Sequence, residues 1–155
     1  MGTLYVVATP IGNLQDITFR AIKTLQEVDV ILAEDTRVFS KLATYYLLHA
    51  TILSYHQHSQ DSRKQEILEL LLSGKNIALV TDAGTPGISD PGNELISYCV
   101  SRISDLVVIP IPGASAIAAA LSVCGFDVNK FVFLGFMPKK KRTKLFAWLK
   151  EGKMT

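Results

Sequence analysis

Five short apolar runs, at 4–8, 28–33, 51–55, 76–80 and 106–110, recur along this chain, and nothing else in the sequence narrows its fold so far. Each is rich in Val, Ile and Leu and is apolar on largely consecutive positions instead of every second one. A strand that alternates shows one face to water, whereas a strand that is apolar throughout has to be covered on both faces. The longer stretches between the runs supply the covers. Ile17, Ala21, Ile22, Leu25 and Val28 fall on one helical face, and Ile67, Leu68, Leu71 and Leu72 on another. Ser62-x-x-Gln65 reads as a capping box for the second of these helices and Gly74 as its stop. The expected fold class is α/β, a mainly parallel, doubly wound sheet with helices on both sides. A chain of 155 residues, 48% hydrophobic and 19% charged, is large and apolar enough to bury such a core.

The unusual residues lie in the segments that follow the runs. These are Thr9-Pro10-Ile11-Gly12-Asn13, Glu34-Asp35-Thr36-Arg37, His56-Gln57-His58-Ser59-Gln60-Asp61, the stretch 81–92, and Pro112-Gly113-Ala114-Ser115-Ala116. In a parallel sheet all of them share the carboxyl edge, where open α/β sheets bind ligands. The stretch 81–92 carries Gly84, Gly87, Gly92, Pro86 and Pro91, a rigid and side-chain-poor loop suited to cradling something flat or small. A plain surface turn is the alternative for any single loop of this kind; it is the gathering of several at one edge that argues for a site.

The ligand is narrowed by what is missing. No Gly-x-Gly-x-x-Gly follows the first run and no Gly-x-x-x-x-Gly-Lys-Ser/Thr occurs, which excludes the usual nicotinamide, flavin and P-loop signatures. The loops offer Gly, Pro, Ser and Thr but few of the basic groups that a di- or triphosphate wants. A neutral or zwitterionic nucleoside fits better, and S-adenosylmethionine is one. A formal net charge of +2 gives no global field toward nucleic acid or membrane. The uncharged segment 106–126 has the length of a membrane span, but Pro110, Pro112 and Gly113 break it into strand, turn and helix. The first eight residues lack a basic leader, and Cys99 and Cys124 read as reduced thiols of a cytosolic protein.

Taken in order, Thr9-Pro10-Ile11-Gly12-Asn13-Leu14-x-Asp16, Ala33-Glu34-Asp35-Thr36-Arg37, Asp82-Ala83-Gly84-Thr85-Pro86-Gly87-Ile88-Ser89-Asp90-Pro91-Gly92 and Pro112-Gly113-Ala114-Ser115-Ala116 resemble the tetrapyrrole methylase superfamily. The resemblance runs from the first strand to Phe136. It implies a two-lobed enzyme that uses S-adenosylmethionine, and in the branch this chain resembles most, methylation of a cytidine ribose 2′-hydroxyl in 16S ribosomal RNA of the small subunit. A homodimer and a cytoplasmic location come with it. The cofactor residues it implies are Pro10, Gly84, Thr85, Pro86, Gly87, Ile88, Gly113, Ser115, Ala116 and, as a shelf at the lobe boundary, Leu134. Methylation of a tetrapyrrole or another small molecule, and non-catalytic binding of a nucleoside or RNA, remain the rival readings. Residues 1–125 form the expected N-terminal lobe. Residues 126–155 read as the start of a second one, with a strand at 131–136 and a basic helix start, so the sequence looks like a piece of a longer protein with weak or no methylation of its own.

Several side chains carry two readings each. Glu34 and Asp35 are candidates to take the proton released by a ribose hydroxyl, or else they cap a helix starting near Thr36 and pair with Arg37. Arg37 holds an RNA phosphate or a solvated ion pair. Lys139, Lys140, Lys141 and Arg142, with Lys144 beyond them, are RNA contacts or a solvated face. His56 and His58, even with Asp61 nearby, lack a third ligand at a recognisable helical spacing, so a solvated loop and no metal is expected there. Asp90-Pro91 is expected to be the N-cap and first residue of a helix. Thr85 and Ser115 are expected to touch the cofactor, and Phe146 and Trp148 to pack against a missing second lobe instead of stacking on bases.

Overall fold

The computed structural model describes residues 1–57, 59–138, 140 and 142–150. Strands β1 (Thr3–Val7), β2 (Val30–Ala33), β3 (Thr51–Ser54), β4 (Ile77–Val80) and β5 (Val107–Ile111) form one sheet in the order β3-β2-β4-β1-β5. Every pairing is parallel, and the register sets Leu4 beside Ile77, Ile77 beside Val30 and Val30 beside Thr51. The chain between strands folds into α1 (Phe19–Glu27), α2 (Thr36–Tyr45), α3 (Asp61–Leu72) and α4 (Asn93–Val100); α5 (Ala116–Val123) and α6 (Arg142–Lys150) follow β5. The five runs therefore became the five strands, each within about two residues of its expected ends.

Two hydrophobic clusters sandwich the sheet. Leu4, Val30, Leu32, Ile77 and Leu79 point to one side and pack with Ile67, Leu68 and Leu71 of α3 and Leu95 and Cys99 of α4. Val7, Ile31, Ala33, Ala78 and Val80 point to the other and pack with Ala21 and Leu25 of α1 and Phe39, Leu42 and Ala43 of α2. This is why β2 and β4 are apolar at every position: all their residues are buried. Each fully buried Leu or Ile here contributes about 1.5–3 kcal/mol relative to exposure. β4 sends its chain to α4 on one face, whereas its neighbours β1 and β2 send theirs to α1 and α2 on the other. A crevice therefore opens on each side of the carboxyl end of β4, as expected where connections diverge.

Four local expectations are corrected. α3 starts at Asp61, with Gln60 at the N-cap and no side-chain cap, so Ser62 is already helical; the Lys64 ammonium ties Asp61, 3.1 Å away, into the first turn. Its end is as expected: Gly74 takes a φ of 92° while the N–H groups of Gly74 and Lys75 donate to the Leu71 and Leu70 carbonyls. Leu72 is exposed, one step around the helix from the buried arc. α4 starts at Asn93 after Gly92, leaving Asp90 and Pro91 in the preceding turn, because the Asn93 side chain is anchored back on the Gly87 carbonyl at 2.9 Å. Residues 131–136 form no strand: a strand exists through a ladder of hydrogen bonds, and this segment lies exposed beside the 81–92 loop with no strand alongside it among the described residues.

The segment 106–126 resolves into β5, a turn and α5, and among the described residues no helix is long and apolar enough to cross a membrane. Cys99 is buried, which pushes its thiol up to about 11, and Cys124 is half-buried; both are free.

Candidate functional site

The loops after β1, β4 and β5 are laced together at the carboxyl edge. Thr9 and Gly84 exchange backbone hydrogen bonds of 2.9 and 3.0 Å, and the Thr85 hydroxyl donates to the Ala114 carbonyl at 3.3 Å. Gly84 makes this possible. Its φ of 84° lies in the left-handed region, and a Cβ there would stand 3.4 Å from the Ile11 side chain and 3.7 Å from the Ala114 carbonyl. Ser115 caps α5 by accepting the Ala118 N–H at 3.5 Å.

A cleft of about 410 Å³ lies along these loops, within the range of small-molecule sites. Its walls are Ile11 from the β1 loop, Ala83, Gly84, Thr85, Ile88, Ser89 and Asp90 from the β4 loop, Ser115, Ala116 and Ile117 at the start of α5, and Phe133, Gly135 and Phe136. Among the described residues no lysine or arginine lines it. Ser89, a non-glycine residue held at a φ of 63°, sits on the wall, the sort of strained backbone that clusters at ligand sites.

Of the residues the sequence pointed to, Gly84, Thr85, Ile88, Ser115 and Ala116 are brought together on this cleft. Pro86, Gly87 and Gly113 are not on its wall: Gly87, at a φ of 82°, packs against Asn93, and Gly113 packs against Ala8, where an added Cβ would stand 3.0 Å from the alanine's own. Leu134 is not on the wall, although Phe133, Gly135 and Phe136 around it are. Pro10 lines a second cleft of about 480 Å³, with Thr9, Ile11, Gly12 and Leu14, Val38, Phe39, Lys41 and Leu42 of α2, and Thr81, Asp82 and Ala83. Sequence reasoning did not name Ile11, Ala83, Ser89, Asp90, Ile117, Phe133, Gly135 or Phe136 as cofactor walls. Adjacency to the motif glycines was the signal available for the first four; none existed for Phe133.

The ends of β2 and β4 are joined by an acidic lattice. The Asp35 N–H donates to Asp82 Oδ1 at 3.1 Å, and Glu34 lies close enough to Asp82 to feel both its backbone and its charge. Burial, and then the charges of Asp82 and Asp90, raise the Glu34 pKa above the ordinary carboxylate value, against a pull from His56. Burial and Asp82 raise Asp90 as well. Asp35 differs. It caps α2 through the Arg37 N–H at 2.8 Å and meets the Arg37 guanidinium at 3.0 and 2.6 Å, so Arg37 holds its carboxyl well below the usual range. Both capping and ion pairing are thus present for Asp35 and Arg37.

Beside this edge, Lys64 is buried between α3 and α4, paired with Asp61 and Glu94. The His56 N–H donates to Ser59 Oγ at 2.9 Å, and His58 lies outside the described residues. Lys139 and Lys141 also lie outside them. Lys140 and Arg142 are exposed, with Arg142 Nε donating to the Pro138 carbonyl at 3.2 Å; Phe146 and Trp148 of α6 are exposed too.

The family described as Tetrapyrrole (Corrin/Porphyrin) Methylases matches residues 3–154. The chain is 54% identical over 144 residues to the ribosomal RNA small subunit methyltransferase I of Synechocystis sp., covering 93% of this chain and 51% of that protein. It is 50% identical over 146 residues to the protein of that name from Bacillus subtilis, covering 93% and 49%. The chain thus spans about half the length of these curated relatives. Among solved structures, uroporphyrin-III-C-methyltransferase from Thermus thermophilus shares the fold with a TM-score of 0.62 at 21% identity, over 83% of this chain and 55% of that one.

Proposed function

We propose, for a chain that belongs to the tetrapyrrole (corrin/porphyrin) methylase family, that it forms the cofactor-binding part of an S-adenosylmethionine-dependent methyltransferase acting on a cytidine ribose 2′-hydroxyl of 16S ribosomal RNA. The observation that carries the reading is the cleft of about 410 Å³ with its small and apolar walls and, among the described residues, no basic side chain, in a chain half identical to ribosomal RNA methyltransferases. A zwitterionic nucleoside suits such walls. Ala83, Gly84 and Thr85 with Ile11, Ile88 and Phe133 would line it, and Asp90 on the wall would face its positive charge. S-adenosylmethionine, when bound, supplies an electrophilic methyl on a sulfonium.

The remaining work belongs to the chain. Glu34, raised in pKa and free of a cationic partner at hydrogen-bond distance among the described residues, is the better acceptor for the ribose proton; Asp35 is already engaged by Arg37. Lys140, Arg142 and their neighbours Lys139 and Lys141 offer phosphate contacts. A homodimer and a cytoplasmic setting belong to the same reading.

The test is transfer of labelled methyl from S-adenosylmethionine to small ribosomal subunits, followed by ribose-specific mapping. Slow transfer to a cytidine 2′-oxygen that Glu34→Gln abolishes is the expected result. Label on a base, or on a tetrapyrrole and never on RNA, contradicts it.

A further inference from the structure

A second cleft stands beside the first at the carboxyl edge. Its volume of about 480 Å³ is enough for one nucleotide, and it shares Ile11 and Ala83 with the first cleft, so that occupants of the two abut. Leu14, Val38 and Leu42 make an apolar wall. Lys41 and Asp82 add opposite charges, and Lys41 has no ion pair among the described residues.

The pointer to a ligand is Thr81. It lines this cleft, is 3% exposed, and its Oγ1 has no hydrogen-bond partner among the described residues. Its neighbour Thr9 lies as deep but is satisfied, its hydroxyl donating to the Thr81 carbonyl at 3.1 Å. A buried hydroxyl without a partner is destabilising and uncommon in native proteins, and this one belongs to a residue of the cleft wall, one side-chain rotation from an occupant.

We propose that this cleft takes one ribonucleotide of the acceptor RNA, with its phosphate on the Lys41 ammonium and its base or ribose on Thr81 Oγ1 and the Asp82 carboxylate. The assignment rests on the methyltransferase reading above for its RNA chemistry. A carboxylate suits the exocyclic amino group of cytosine, an ammonium suits phosphate, and the apolar wall takes the face of a base. The competing occupant is the amino-acid end of the cofactor itself, whose carboxylate and ammonium would suit the same pair of charges.

Titration of cytidine 5′-monophosphate and, separately, S-adenosylhomocysteine into the parent chain, Lys41→Glu and Thr81→Val decides the matter, read by amide chemical shifts. Cytidine monophosphate should saturate the parent, bind Lys41→Glu roughly tenfold more weakly and bind Thr81→Val more weakly. S-adenosylhomocysteine should bind all three alike. Thr81→Val should melt no lower than the parent, since it removes an unsatisfied group, so weaker nucleotide binding there is not a folding defect. Absent nucleotide binding, or equal binding by all three, overturns the proposal. An equal loss of both ligands in Lys41→Glu also overturns it and gives the cleft to the cofactor. Nucleotide binding that depends on Lys41 while S-adenosylhomocysteine fails to bind even the parent upholds the nucleotide cleft and removes the cofactor reading instead.

Discussion

The centre of the sheet and its β5 flank are similarly apolar in sequence and opposite in fate. In β2 and β4 every residue is buried, between α3 and α4 on one face and α1 and α2 on the other. On the flank, α5 reads AIAAALSV and buries no residue, and Val123, Phe126, Phe131 and Phe136 are exposed. Hydrophobicity states what wants covering; topology decides what is covered. In this chain the centre holds the fold together, and the flank supplies Ser115, Ala116, Ile117 and Phe133 to the first cleft. An open apolar wall costs stability and is what a ligand site requires.

The contrast breaks most visibly with Leu79→Ala. Leu79 is wholly buried at the centre, and its truncation should cost about 2–5 kcal/mol in urea unfolding. A loss below about 1 kcal/mol would mean the centre is less tightly packed than described. Gly84→Ala comes next, at the junction of centre and flank, where a left-handed φ penalises any side chain by about 1–2 kcal/mol. The same change should weaken S-adenosylhomocysteine binding, because the new methyl meets Ile11 on the cleft wall; unchanged affinity with lowered stability would separate the loop's folding role from its binding role.

Glu34→Gln sharpens the contrast at the rim of the centre, through pH. The folded pKa of Glu34 is raised, so its contribution to stability is fully present below the unfolded value of about 4.5 and is lost as pH rises through the folded pKa. The glutamine variant should therefore match the parent near pH 4 and exceed it modestly at pH 7 to 8 in thermal melts; a parent that is the more stable at pH 8 would reverse the sign. Smallest is Phe126→Ser on the flank. With Phe126 82% exposed, unfolding should shift by no more than about 0.5 kcal/mol. A large loss of stability would show the flank to be core after all.

Most of the fold was legible because the apolar runs declared both their strand state and their need for cover on two faces, which placed the chemical loops at one edge. The misreadings have local causes. In Gln60-Asp61-Ser62, three adjacent residues are plausible caps, and the pairing of Lys64 with Asp61 and Glu94, remote in sequence for the latter, settles the start. Asp90-Pro91 has the form of a helix start, but the Asn93 to Gly87 bond moves it on. The run 131–136 has strand composition without a strand beside it among the described residues. In the site, Gly84, Thr85, Ser115 and Ala116 were legible from their loops, whereas Phe133, and the second cleft with Lys41 and the unpartnered Thr81, depend on which elements approach in space and leave no mark in sequence spacing.

The most direct test of the account is the amide chemical-shift map of the chain titrated with S-adenosylhomocysteine, with Ser115→Trp as control. Saturable shifts concentrated on residues 83–90 and 115–117, and abolished by the tryptophan that fills the first cleft, are the predicted result. Saturable binding that leaves those amides unmoved, or that survives Ser115→Trp undiminished, would contradict the assignment of this cleft to the cofactor.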